Sequence, residues 1–343
     1  MALNARDAEA RGTRVMTRTR VTSATRVGDY WQVETTGAQG DQTFRAKALV
    51  NAGGPFVQDV IRHVLRINST EGVRLVRGSH IVTKRLFDHD RCYFFQGTDG
   101  RIIFAIPYET DFTLIGTTDH DHKGPPGEVV CTDGEMDYLC NFASQYFAKP
   151  VTRKDIVWTY SGVRPLYNDG AKSATAATRD YVLSLDTNGA PLLNVFGGKI
   201  TTYRRLAESA LAKLAPYFPQ AKSAWTARVP LPGGAFPHDG VANLIAALKT
   251  KYPFLTDYHA ARLIRAYGTE APQVLGDAKS MADLGSDFGG TVTESEVRWL
   301  MEREYAHTAA DVVWRRSKLG LRMTKEQIAA LDAHMGTMAQ AAE

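Results

Sequence analysis

The chain has 343 residues, 44% hydrophobic and 23% charged, the balance of an ordinary globular protein of one large domain or two. Its formal net charge of +4 suits anionic small molecules or a lipid surface and is too mild to argue for nucleic acid. Three cysteines (Cys92, Cys131, Cys140), odd in number and without CxxC spacing, argue against a disulfide framework or a zinc site and fit a reducing compartment.

In chain order, "MALNARDAEARG" is no signal peptide; it reads as the tail of a helix with no strand before it, so the chain is expected to begin in mid-fold. Residues 13–50 alternate as strands, notably "TRVMTRTRVTSATR" and "YWQVETTG". "KALVNAGGPFVQDVIRHVL" then reads as strand, turn and helix. Gly53 and Gly54 make the turn, Pro55 takes the first helical position, and Phe56, Val57, Val60, Ile61, Val64 and Leu65 form the buried stripe. Residues 71–118 are strand-rich, with Asp-Gly and Glu-Thr-Asp turns. A helix over "DGEMDYLCNFASQYF" and the strands "IVWTYSGVRPLY", "DYVLSLD" and "PLLNVF" follow. "VPLPGGAFPHDG" at 229–240 reads as a linker. Nearly everything after it is helical. No apolar run is long enough to span a membrane.

Two turns share one design. "NAGGPF" and "FGGKITTYRRLAE" each set a glycine pair after a buried strand and before a helix, where free N–H groups and the positive dipole end favour an electron-rich ligand. A nucleoside-triphosphate loop is excluded for the second. Leu193 stands where its first glycine belongs, and Ile200 stands where Ser or Thr must bind magnesium. Lys199 adds a full charge, while the plain alternative is a helix entry capped by Thr201 or Thr202.

Ser79 and His80 are neighbours on a strand and face opposite ways, so they are no nucleophile–base pair. Arg164, between apolar residues in "SGVRPLY", needs an anionic partner. Arg179 offers a second guanidinium. "TTDHDHK" puts His120 and His122 on one face if extended, but its turn formers favour a polar hairpin tip, and no metal is expected. The basic cluster around Arg315, Arg316 and Lys318 reads as a solvated helix end.

"VNAGGPFVQDV", "VRGSHIV", "IPYETDFTLIGTTD", "YSGVRPL", "ATRDYVL", "FGGKITTYRRLAE" and "EREYAHTAADVVWRRSKLGL" together resemble the FAD-dependent, aerobic glycerol-3-phosphate dehydrogenase family, in order and spacing, over essentially the whole chain. The family's GxGxxG unit for the ADP part of FAD is not in the sequence. The resemblance implies an α/β (α+β) fold: an incomplete Rossmann-like FAD-binding domain of the glutathione-reductase/D-amino-acid-oxidase type, a mixed-sheet substrate domain and a C-terminal helical domain. Residues 1–70 and 191–228 would belong to the first, 71–190 to the second, 229–240 to a linker and 241–343 to the third.

It further implies oxidation of sn-glycerol 3-phosphate to dihydroxyacetone phosphate, with hydride passing to FAD and electrons to a membrane quinone. Arg164 and Arg179 would bind the substrate phosphate, and His80 with Arg164 would serve the chemistry. Val21, Gly53, Gly54, Gly198, Lys199, Thr201 and Thr202 would hold FAD, the lysine at the flavin edge. The implied setting is cytoplasmic, peripheral to the inner face of the cytoplasmic membrane, with no nucleic acid and with a homodimer among the arrangements allowed. The alternatives are a catalytically inactive fragment acting as an association module, and a related FAD-dependent oxidoreductase of amino or 2-hydroxy acids.

Overall fold

Helix α1 (Ala2–Ala10) opens the chain in a computed structural model that describes residues 1–98, 100–168 and 180–342. The described residues divide into two units, Arg18–Ala227 and a second formed by Met1–Thr17 with Arg228–Glu343.

In the first unit, β1 (Arg20–Val27), β2 (Tyr30–Thr36) and β3 (Gln42–Ala46) form an antiparallel sheet in sequence order. A short strand, β4 (Leu49–Asn51), leads through the first glycine pair into a tightening and loosening helix: a 3₁₀ turn at Gly54–Phe56, α2 (Val57–Asp59), then a π turn at Val60–Val64. Val57, Ile61 and Leu65 are buried on this segment, Val60 and Val64 pack partly against them, and Phe56 is exposed, contrary to the expected stripe. The changes of helical pitch rotate Phe56 off the face that continues through Val57.

Strands β5 (Val73–Lys84), β6 (Tyr93–Gln96), β7 (Ile102–Tyr108), β8 (Phe112–Gly116) and β9 (His120–Asp121), with α3 (Asp133–Ser144) and β10 (Ile156–Tyr167), build the second layer of this unit. The order across the sheet is β10-β5-β8-β7-β6, with β9 also on β5. Every pairing is antiparallel, which corrects the expected mixed sheet. Tight turns join β6, β7 and β8 as hairpins, whereas parallel neighbours need long crossovers. Ile81, Phe95, Ile103, Ala105 and Ile115 line one face and bury Leu139, Phe142 and Ala143 of α3. Alternation sends Gly78, His80 and Val82 to the opposite face.

Strands β11 (Tyr181–Asp186) and β12 (Leu192–Gly197) precede α4 (Tyr203–Leu214). β12 pairs antiparallel with β11 and parallel with β4, Asn194 opposite Asn51. Arg26 joins this hairpin to the first sheet: its guanidinium lies 4.7 Å from the Trp31 ring centroid and donates to the Ala190 carbonyl and to Asp186.

The second unit holds α5 (Val241–Lys251), α6 (Asp257–Tyr267), α7 (Ala271–Leu275), α8 (Glu294–Glu304) and α9 (Lys325–Ala342) around Leu263, Ile264, Val297, Leu300 and Leu331. Inside it, Arg262 makes a bidentate pair with Glu296 at 2.7 Å to each oxygen, and Tyr267 donates to the same carboxylate at 2.6 Å. Helix α1 packs within this unit and not with β1–β4. Arg6 grips Glu270 at 2.8 and 2.9 Å and lies over the Trp299 ring. Residues 229–240 are no free linker either. Gly233, at φ +79°, accepts a hydrogen bond from the Thr269 N–H and sits so close to the Tyr267 carbonyl that a Cβ would lie 2.3 Å from it. Among the described residues no helix is long and apolar enough to cross a membrane.

Candidate active site

Antiparallel pairing of β5 with β10 sets Tyr160 opposite His80, Gly162 opposite Gly78 and Arg164 opposite Val76, so His80 and Arg164 share one face. The His80 ring stacks on Tyr160 with centroids 4.7 Å apart and planes 6° from parallel. Its other neighbour is Gly116 on β8, where a Cβ would lie 2.2 Å from the imidazole Cδ2. Burial, and then the positive charge of Arg164, pushes the imidazole pKa down to about 4. His80 is therefore neutral at physiological pH, and its buried Nδ1 has no hydrogen-bond partner among the described residues. Gly116→Ala is expected to drive the ring from its slot and to lower stability by about 1–3 kcal/mol, read as a lower urea midpoint at unchanged slope.

Arg164 lies on a second glycine bed. A Cβ on Gly78 would stand 2.6 Å from its guanidinium. The run after β8 supplies its partners: Asp119 forms an ion pair with it, and Thr117 Oγ1 accepts from it at 3.1 Å. The expected polar hairpin tip is thus corrected at its start. Thr118 is fully buried, and the run turns back beside β5 because Arg164 and β5 bind it. Sequence reasoning missed Thr117, Asp119, Tyr160, Gly78 and Gly116. One signal was available, since an arginine set among apolar residues calls for an acid, and Asp119 stands in the "TTD" that ends a strand.

The two glycine turns leave the carboxyl ends of neighbouring parallel strands, the position where open α/β sheets bind ligands. Asn51 ties them together by donating to the Asn194 side chain at 3.0 Å and to the Val57 carbonyl at 2.9 Å. Gly54, Gly197 and Gly198 take positive φ (+56°, +68°, +97°). Open space lies where a Gly54 side chain would be, while a Cβ on Gly197 would meet the backbone of Pro165 and Tyr167, next to Arg164. Lys199 and Thr201 are exposed, as is Ile200. Neither threonine caps α4: the Thr202 hydroxyl donates to the Lys199 carbonyl, and the α4 N-terminus carries no side-chain cap. The first α4 N–H is not open, because the 3₁₀ turn at Ile200–Thr202 runs straight into the helix and the Tyr203 N–H donates to the Ile200 carbonyl. Val21 is exposed on β1, in a different sheet from the glycine turns. Arg179 lies outside the described residues.

An exposed lysine on a glycine turn, with a neutral histidine and an arginine on one face of the neighbouring sheet, fits a flat, electron-rich cofactor next to an anionic substrate. Residues 1–204 match the family model described as FAD dependent oxidoreductase, and residues 224–343 match the C-terminal domain of alpha-glycerophosphate oxidase. The aerobic glycerol-3-phosphate dehydrogenase of Escherichia coli (strain K12) is 44% identical over 328 residues, 94% of this chain and 65% of that protein. The D-erythritol 1-phosphate dehydrogenase of Brucella abortus (strain 2308) is 43% identical over 96% of this chain and 66% of that protein. The solved glycerol-3-phosphate dehydrogenase of Bacillus halodurans, complexed with FAD, shares the fold. Its TM-score is 0.78 at 22% identity, over 98% of this chain and 71% of that one. The chain thus spans just under two thirds of the length of these curated relatives.

Proposed function

The chain belongs to the FAD-dependent oxidoreductase family, and from that premise we propose that it carries the substrate half of an FAD-dependent glycerol-3-phosphate dehydrogenase. The observation that carries this reading is the common face of His80 and Arg164, one neutral and one cationic, beside a glycine turn bearing Lys199. Relatives named for glycerol 3-phosphate and for D-erythritol 1-phosphate both act on a polyol phosphate, which needs an anion clamp and an acceptor for a hydroxyl proton.

Arg164, held by Thr117 and Asp119 with donors to spare, binds the phosphate ester, and Arg179 is assigned to the same group. Neutral His80 accepts the proton of the C2 hydroxyl as the C2 hydride departs, and the neighbouring guanidinium stabilises the developing alkoxide. FAD, when bound, supplies the two-electron acceptor. Gly53, Gly54, Gly197 and Gly198 would give it a floor without side chains, Lys199 would favour its electron-rich edge, and Thr201, Thr202 and Val21 complete the assignment. A membrane quinone as final acceptor, peripheral attachment at the inner face of the cytoplasmic membrane and a homodimer go with this reading on the strength of the resemblance.

The direct test mixes the purified chain with FAD under anaerobic conditions and follows flavin absorbance on adding substrate. Glycerol 3-phosphate is expected to bleach it. Bleaching by lactate, 2-hydroxyglutarate or glycine in its place would select the amino- or 2-hydroxy-acid alternative. Failure to bind flavin at all would select the inactive fragment. In the flavin-loaded protein, Lys199→Ala is expected to lower the flavin reduction potential by on the order of 20 mV, measured by dye equilibration, because a cation near the reduced ring is lost; an unaltered potential counts against the assignment.

A further inference from the structure

We propose that Glu135 is a positioning residue for both His80 and Arg164, the single buried carboxylate to which the strand under one and the loop under the other are fastened. The site it would position is the one given above, so the kinetic meaning of the proposal rests on that reading.

Glu135 stands in the first turn of α3 and is 3% exposed. Its Oε2 has a local task, accepting from the Thr132 N–H at 3.0 Å and the Thr132 hydroxyl at 2.9 Å in a capping box. A capping box asks for no more than that. Its Oε1 does something else, accepting from Ser79 Oγ at 2.9 Å, Thr118 Oγ1 at 2.8 Å and Arg77 Nε at 3.3 Å, all three outside α3. Ser79 in turn shares a 2.7 Å hydrogen bond with Ser161 on β10, and its N–H donates to Thr118 Oγ1 at 2.9 Å.

Each anchored residue is the chain neighbour of a site residue. Ser79 precedes His80, whose side chain leaves the opposite face of the strand. Ser161 follows Tyr160, on which His80 stacks. Thr118 lies between Thr117 and Asp119, the two partners of Arg164. One carboxylate therefore sets three backbone segments whose other faces carry the imidazole, its stacking partner and the guanidinium clamp. Burial alone would raise the Glu135 pKa; hydrogen bonds from Thr132, Thr118 and Ser79 outweigh it and hold the group at about 2, anionic throughout the working range.

The test uses the full chain and three variants. Glu135→Gln turns one oxygen into a donor that must face donors, and Glu135→Asp keeps the charge but falls short of Ser79 and Thr118. Thr132→Ala removes the capping hydroxyl and its one bond to Oε2, leaving the three Oε1 bonds in place. His80 titration is followed by imidazole NMR and assigned with His80→Asn. The dissociation constant for glycerol 3-phosphate is measured by calorimetry. Both Glu135 variants are expected to move the His80 midpoint upward from about 4 by about one unit and to weaken binding roughly 10- to 100-fold. Thr132→Ala should leave both near wild type. A wild-type His80 titration in both Glu135 variants, or equal effects from Thr132→Ala, overturns the proposal. Should the Glu135 variants fail to fold, Thr118→Val removes one hydroxyl and must produce the same two changes. A wild-type chain that does not bind glycerol 3-phosphate refutes the functional reading, while the titration still decides the role of Glu135.

Discussion

Arg164→Ala is expected to raise the dissociation constant for glycerol 3-phosphate by roughly 30- to 4000-fold while leaving flavin content close to wild type. The range follows from the cost of about 2–5 kcal/mol when one partner of a desolvated charge pair is truncated. Three features place this effect on the substrate. The guanidinium lies over Gly78, is fixed from one side by Thr117 and Asp119, and keeps donors for a further anion. Gly197, on the turn proposed to hold the cofactor, approaches the backbone of Pro165 just after Arg164. Arg164→Lys is expected to restore only part of the binding, because an ammonium lacks the planar fork that grips phosphate oxygens in pairs. Calorimetry with glycerol 3-phosphate reads the effect directly, and an unchanged constant would end the phosphate assignment.

His80→Asn is expected to lower kcat by about 10²–10⁴ with little change in substrate affinity, the signature of a lost proton acceptor. The pH dependence carries the sharper expectation. Burial, then Arg164, puts the folded-state pKa at about 4. The acidic limb of kcat/KM should therefore fall well below the ordinary histidine range and vanish in the variant. The same depression has a stability consequence. Between the unfolded value near 6.5 and the folded value near 4 the unfolded chain binds more protons, so stability falls as pH falls through that window. His259, also buried and held at about 4, adds a loss of the same sign in the helical unit. The His80→Asn chain should lose less stability than wild type on acidification from pH 6.5 to 4, as followed by urea unfolding. An acidic limb near 6.5 would show that the imidazole is not held as described.

Much of the molecule could be read from single segments, because local pattern is enough where one face of an element meets one core. Alternation in "VRLVRGSHIVT" places Ser79 and His80 on opposite faces, and they lie so. The glycine pairs after "LVN" and "NVF" announce two turns at strand ends, and Gly54, Gly197 and Gly198 take positive φ there while Gly53 stays right-handed. The apolar setting of Arg164 calls for an anionic partner, and the fold pairs it with Asp119, an acid that the local pattern does not name. Helices α5, α6, α8 and α9 follow their apolar periodicity.

What the pattern could not supply is which distant residues become neighbours. Asp119 and Thr117 lie 45 and 47 positions from Arg164, Glu135 lies 56 from Ser79, and Glu270 lies 264 from Arg6. Register across β10 and β5 and the run after β8 create the first two meetings, and helix packing creates those of Glu135 and of Arg6; a strand's own alternation states which face a side chain takes but not what stands across from it. The same reason explains why Gly78 and Gly116 passed unnoticed. A glycine in a strand reads locally as a weak point, and only the paired strand reveals that its missing Cβ is the space Arg164 or His80 occupies. The sequence by itself determined the elements, the two glycine turns and the family. The tertiary structure alone decided that helix α1 joins the C-terminal helices, that the sheet beside the site is antiparallel throughout, and that one histidine is kept neutral next to an arginine, since each depends on packing between segments far apart in the chain.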